Sequence, residues 1–368
     1  MTAKMKNYYA SGNTARGLYS LYEQVLQGLD HVFILKGIRT GKSSIMKEIG
    51  KEWFQNGYDI EFLHCPSDNH AIDGVIIPEL KVAIIDGSVP HGINSNAPGV
   101  VEKYIDAWNL PQLAGQQEEI VQYRTQMNEA FELAYSHFAE ALQVHDEWEE
   151  IYIQNMDFEK ADQLTKQLIN ILFAEKAVNK KACVQHRFLG AATPKGAVDF
   201  IQDLTEDVPK RYFIKGRPGS GKSTMLKQLA ANAEQRGFDV EVYHCGFDPN
   251  SLDMIIVRQL DIAIFDSTAP HEYFPSRESD EIIDMYEAAI TPGTDEKYAS
   301  DIQTISTRYA TRMKEAISYL AKAKNVQENL EKIYSAAMDC TKLDVVREEI
   351  HSEIQTIAQV IDQQHPLS

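Results

Sequence analysis

The chain carries one segment twice, and the two copies differ by one residue. Residues 33–44 read "FILKGIRTGKSS" and residues 213–224 read "FIKGRPGSGKST". From Gly41 to His91, adding 180 to a residue number gives an identical residue at 19 of 51 positions, among them Lys42 on Lys222, Gly57 on Gly237, His64 on His244 and Asp86 on Asp266. Upstream of the glycine segment the offset is 179, which sets Thr14 and Gly17 on Thr193 and Gly196. Further on, "EEIYIQNMDFEKAD" (149–162) matches "EKIYSAAMDCTKLD" (331–344) at an offset of 182. A repeat of this length restricts the chain to two copies of one unit. The expected domains are 1–184 and 185–368, with the polar, basic "EKAVNKK" at the join.

Each copy reads as alternating strands and helices. A short apolar strand, "HVFIL" or "RYFI", runs into the glycine segment, and a helix follows from Lys42 or Lys222 to a glycine stop at Gly57 or Gly237. A strand "DIEFLHC" or "DVEVYHC" comes next, then "KVAIID" or "DIAIFD", whose continuous apolar run suits a strand buried on both faces. This alternation predicts a doubly wound α/β fold with a parallel sheet in each copy. Residues 116–176 and 296–364 are almost free of Gly and Pro and predict a helical hairpin appended to each sheet.

Charge and cysteine usage narrow the class. The net charge is -18, and residues 101–150 hold eleven Asp or Glu against two Lys or Arg. That window would repel a nucleic-acid backbone, so it is expected to be a solvated helix surface or a docking face for a basic protein. No run of eighteen apolar residues occurs and the N-terminal "MTAKMKNYYASGNT" has no apolar stretch, from which a cytoplasmic protein without a membrane partner is expected. The four cysteines, Cys65, Cys183, Cys245 and Cys340, form no CxxC pair, which argues against a disulfide framework or a cysteine zinc site.

The second glycine segment has the spacing GxxxxGK[ST] between a predicted strand and a predicted helix. Backbone N–H groups of such a loop converge on a phosphate, and the helix N-terminus adds partial positive charge. Gly216, Gly219 and Gly221 admit the close backbone approach, with Arg217, Pro218, Ser220 and Thr224 completing the cradle. Lys222 brings a mobile charge to the β- and γ-phosphates, Ser223 brings a hydroxyl to Mg²⁺, and Asp266 stands where a Walker B aspartate would hold that ion. These motifs resemble the P-loop NTPase superfamily over both halves of the chain, which implies ATP and Mg²⁺ as ligands. The arrangement "HC…D….D…hhhD…PH" also resembles an uncharacterised family of duplicated ATP-binding proteins in Firmicutes, whose activity is undefined. One departure matters: many ATP-hydrolysing members have Glu after the Walker B aspartate, and here that residue is Ser267, or Gly87 in the first copy.

The first copy keeps Gly37, Gly41, Lys42, Ser43, Ser44 and Asp86 but has three residues between its glycines where the second has four. Ser43 and Asp86 would be its Mg²⁺ residues, and its site is expected to be weakened or non-hydrolysing. His64, Asp68, Asp73, Asp86 and His91, with His244, Asp248, Asp253, Asp266 and His271, should line two clefts at the carboxyl ends of the strands. Asp248 or Asp253 would orient the attacking water or a substrate hydroxyl, although an Asp in such a loop also serves as a cap. A zinc site at His244 and Cys245 is disfavoured because adjacent strand residues point to opposite faces. Lys36, Lys215, Arg217, Arg277, Arg308 and Arg312 are candidate trans-acting cations. The expected function is ATP binding with Mg²⁺-dependent hydrolysis by Lys222, Asp266 and Asp248, the halves packing as an intramolecular pseudo-dimer. A kinase with a small-molecule phosphate acceptor, or a non-enzymatic nucleotide switch with a protein partner, are the alternatives.

Overall fold

A computed structural model describes residues 3–88, 101–106 and 111–364; His91 lies outside them. In the first repeat the order is β1 (Met5–Tyr8), β2 (Ser11–Thr14), β3 (Gly17–Ser20), α1 (Tyr22–Val25), β4 (His31–Leu35), α2 (Lys42–Gln55), β5 (Ile60–His64), β6 (Ile72–Ile77), β7 (Val82–Asp86) and β8 (Val101–Ile105), then the long helix α3 (Gln117–Ile153) and α4 (Phe158–Phe173). The second repeat follows the same plan. It runs β9 (Val184–Phe188), β10 (Gly190–Thr193), β11 (Gly196–Asp199), α5 (Ile201–Thr205), β12 (Lys210–Lys215), α6 (Lys222–Gln235), β13 (Val240–His244), β14 (Leu252–Val257), β15 (Ile262–Asp266) and β16 (Glu281–Asp284). Helices α7 (Met285–Ala289), α8 (Thr294–Lys297), α9 (Ala299–Ala337) and α10 (Cys340–Gln364) complete it. The repeat extends to small turns: Thr14 and Thr193 each donate a hydroxyl hydrogen bond to the carbonyl of Gly17 and Gly196, at 2.7 and 2.8 Å.

Each repeat forms a six-stranded sheet, ordered β1-β5-β6-β7-β4-β8 in one and β16-β12-β15-β14-β13-β9 in the other. The expectation of parallel sheets is corrected to mixed ones. Strands β6 and β14 run antiparallel to both neighbours. Their connections are the reason: residues 78–81 and 258–261 form one short helical turn closed by Lys81 or Asp261 in the left-handed region, at φ 53° and 57°. A link that short joins antiparallel neighbours, whereas a parallel crossover needs a dozen residues or more. Asp73 and Gly74 break the apolar run "AIDGVII" and hide β6 from sequence patterning.

The compact units do not follow the repeat. The first comprises Met1–Ser11, Ser20–Phe131 and Leu320–Ser368; the second comprises Gly12–Tyr19 and Glu132–Tyr319. Thus α10 belongs with the first sheet and α4 with the second. In the first unit, Val346, Ile350 and Ile354 of α10 are buried against Ile45, Met46 and Ile49 of α2 and the sheet beneath. In the second, Leu168, Leu172 and Phe173 of α4 are buried with Met225, Leu226 and Leu229 of α6. Each such side chain stabilises its unit by roughly 1.5–3 kcal/mol. No helix among the described residues is long and apolar enough to cross a membrane.

This exchange of helices between repeats predicts the behaviour of half-chains. Residues 1–184 lack α10 and residues 185–368 lack α4, so each exposes an apolar face and should unfold without a cooperative transition. Circular dichroism melts of the two fragments check this; a fragment 185–368 with a sharp transition within a few degrees of the full chain would contradict it.

Candidate functional site

In the second unit, β12 ends at Lys215 and the chain turns through 216–221 into α6, Ser220 N donating to Arg217 O at 3.2 Å within the turn. A Cβ on Gly216 would lie 2.4 Å from Ser220 Oγ, which accepts a hydrogen bond from Arg217 N. Gly219 is required twice over: its φ is 72°, and a Cβ there would lie 2.5 Å from the carbonyl oxygen of Glu149 on α3. The loop 216–221 is therefore covered at Gly219 by a helix of the first repeat's sequence.

Lys222 Nζ donates to Arg217 O at 2.9 Å and lies 3.6 Å from Asp266 Oδ2, with both side chains still partly exposed. Asp266 Oδ1 accepts from the backbone and hydroxyl of Thr268 at 3.0 and 2.6 Å, which leaves Oδ2 facing the lysine. Ser223 Oγ accepts from Leu252 N at 2.9 Å, tying the start of β14 to the start of α6. One lone pair of that hydroxyl oxygen remains for a metal ion. Lys222 and Asp266 thus face each other where β15 ends, with Ser223 beside Lys222 at the start of α6.

The first unit builds the same arrangement closed. Lys42 is fully buried, donating to Leu35 O at 2.6 Å, Gly37 O at 3.2 Å and Asp86 Oδ1 at 2.9 Å. Burial lowers its pKa, with Asp86 opposing; burial raises that of Asp86, but Lys42 and Arg39 outweigh it and hold the carboxyl below its ordinary range. Arg39 of the shortened loop donates to Asp73 Oδ1 at 2.7 Å. A Cβ on Gly41 would lie 2.7 Å from Leu343 of α10. The cations that would meet phosphate are spent on two aspartates.

Other expected site residues are placed differently in kind. Asp248 accepts from Asn250 N at 3.3 Å and from Arg16 at 3.1 Å, and Asp68 from His70 N at 2.9 Å and Lys324 at 2.6 Å, so each closes a loop. His244 does not face the loop chemistry: its ring bonds to His186 at 2.8 Å and to Pro249 O at 2.6 Å at the sheet edge. His64 matches it, bonded to Asn7 at 2.8 Å and pushed down to about 4 chiefly by burial. Cys65 is buried and Cys245 half-buried, and desolvation raises the pKa of both thiols. His271 bonds to Asp199 at 2.8 Å, and burial, which lowers the ring's pKa, is outweighed by Asp199 together with the charges of Asp253 and Asp266.

The candidate trans-acting cations are engaged. Lys36 lies over the Tyr104 ring at 3.9 Å, and Lys215 donates to Ser267 O and Tyr273 O at 2.6 and 2.8 Å. Arg217 turns outward to Asp295 at 2.8 Å, Arg277 to the carbonyls of Val208 and Glu206, Arg308 to Glu147, and Arg312 to Glu140. Sequence reading missed His145 and Glu149 of α3, about 70 residues before the loop. Burial lowers the His145 pKa, with Glu149 opposing and the Lys222 charge adding to the effect. Among the described residues, His145, Asp146 and Glu149 are the one group of three His, Cys, Asp or Glu with ligand atoms within 4.8 Å of one another. A cavity of about 400 Å³ lies apart from the loop, beneath Phe213 and Phe265 on the sheet face opposite α6.

Asp253 is buried on β14, and its carboxyl is pushed up to about 6, first by burial, with Asp266 adding and His271 and Lys222 opposing. A carboxyl in the unfolded chain titrates near about 3.9. The folded value is the higher, so its contribution is fully present below pH 4 and is lost as pH rises through 6, by up to about 3 kcal/mol. Urea unfolding of the wild type and Asp253→Asn in metal-free buffer should show this fall only in the wild type, the variant gaining relative stability above pH 6. Compared with known proteins, the chain has no match: no family model, curated protein or solved structure matches it.

Proposed function

We propose that the second unit binds ATP with Mg²⁺ and hydrolyses it, and that the first unit's copy of the loop binds no nucleotide. The observation that carries this reading is the difference in one ion pair. Lys222 sits 3.6 Å from Asp266 with both side chains reachable, whereas Lys42 is sealed at 2.9 Å from Asp86 with no exposed surface. A lysine with donors to spare recruits phosphate; one already holding three protein acceptors does not. The groups of 216–224 and Asp266 therefore fit a nucleoside triphosphate and Mg²⁺, and those of 37–44 and Asp86 do not.

In this reading the loop N–H groups and Lys222 bind the β- and γ-phosphates, and Ser223 and Asp266 hold the metal. Mg²⁺ supplies neutralisation of the phosphate oxygens. Helix α3 rests on Gly219 through the Glu149 carbonyl. That same contact favours a second reading, a nucleotide-dependent switch, because an occupied loop would press on the Glu149 carbonyl and bias α3. Turnover separates the two.

Two lysine variants test the asymmetry. Lys222→Ala should abolish detectable MgATP binding by calorimetric titration while leaving the melting temperature within a few degrees. Lys42→Ala should leave the second site's affinity unchanged where the protein folds, but cost about 3–5 kcal/mol of stability by stranding Asp86 unpaired. Equal losses of affinity in the two variants would refute the assignment.

A further inference from the structure

The residue after Asp266 supplies no base. Ser267 is fully buried, its hydroxyl donating to Tyr273 O at 2.6 Å and accepting from Tyr273 N at 3.1 Å, so it clasps the following loop. A carboxylate arrives instead from the neighbouring strand. Strands β14 and β15 are antiparallel, their pairing ending with Met254 opposite Phe265, and Asp253 is the next residue, which β13 skips as Tyr243 pairs with Met254 and His244 with Leu252. Ile255 and Val257 of β14 pack in the cluster formed with α6, so strand alternation puts Asp253 on that face. Asp266 pairs with Ile214 of the same cluster, and its charge acts on Asp253. Leu252, next to Asp253, is bonded to Ser223 Oγ.

The first unit shows what this carboxylate requires. Asp73 holds the equivalent place, next to Gly74 where the pairing with Ile85 ends, and there the loop's own Arg39 reaches it at 2.7 Å. In the second unit the loop arginine, Arg217, points to Asp295. Asp253 keeps the Cys245 thiol as a hydrogen-bond partner, and among the described residues it forms no ion pair. Asp253 thus differs from Asp73 in having no loop arginine on it, and the charged groups that face it are His271, Asp266 and Lys222. Asp248 is less suited, being held by Arg16 and the Asn250 N–H.

We infer that Asp253 is the general base of the second unit's hydrolysis, an assignment that rests on the ATPase reading above. The water oxygen bonds to the γ-phosphorus as the bond from that phosphorus to the β,γ-bridging oxygen breaks. The departing electron pair stays on the ADP oxygen, the water's proton passes to the Asp253 carboxylate, and it is released to solvent after the phosphate leaves. The shortened first loop then has a second consequence: Arg39 occupies the carboxylate that would serve as base.

The test uses the full chain with Asp253→Asn and Asp253→Glu, measuring phosphate release and MgATP affinity together. Asp253→Asn should lower kcat by about 10²-fold or more. Its MgATP affinity should change less than about threefold, and Asp253→Glu should recover at least about a tenth of wild-type turnover. Should the Asn variant fail to fold, Asp253→Ser is read the same way. Turnover above half the wild-type value in the Asn variant, or affinity falling in step with turnover, overturns the role. A wild-type chain that binds MgATP without turnover also overturns it, whereas one that binds no MgATP refutes the nucleotide reading beneath it.

Discussion

Closing the apolar face of each sheet is the constraint around which the molecule is organised. Helices α2 and α6 cover part of that face, and the remainder is sealed by helices from distant parts of the chain: α10 for the first sheet, α4 for the second. Ile350 and Ile354 have no exposed surface although they follow β4 by more than 300 residues. The long helices that deliver these lids belong partly to each unit, α3 changing over at 131–132 and α9 at 319–320. Folding of either unit therefore includes closure of a very long loop, which costs entropy but only logarithmically in length.

The same helices reach the phosphate loops. Leu343 abuts Gly41 and the Glu149 carbonyl abuts Gly219, so the packing that completes each core also restricts each loop. Gly219 is held there both by its left-handed backbone and by that helix contact, so any larger residue would displace either the loop or α3.

Between two copies of one design, charge placement makes the difference. In the first unit two cations of the loop each meet a buried aspartate: Lys42 has Asp86 and Arg39 has Asp73. In the second, Arg217 turns to Asp295 and Lys222 stands 3.6 Å from Asp266 with both side chains partly exposed.

The strands "HVFIL" and "KVAIID", the helices starting at Lys42 and Lys222, and the complete second loop were all legible in the sequence, because strand and helix periodicity and glycine punctuation are local signals. The antiparallel direction of β6 and β14 was not, since Asp73 and Gly74 interrupt the apolar pattern and the left-handed turn at Lys81 has no glycine to announce it. His244 was expected in a cleft and lies instead on an edge-strand hydrogen bond to His186, a pairing set by the register of β9 on β13. By itself the sequence determined that there are two related α/β units and which loop has the full phosphate-binding spacing. Only the tertiary structure decided that each unit borrows its covering helix from the other repeat, that Lys42 is sealed while Lys222 is reachable, and that Asp253 faces Asp266. Those outcomes depend on long-range burial and cross-strand register, which no window of neighbouring residues contains.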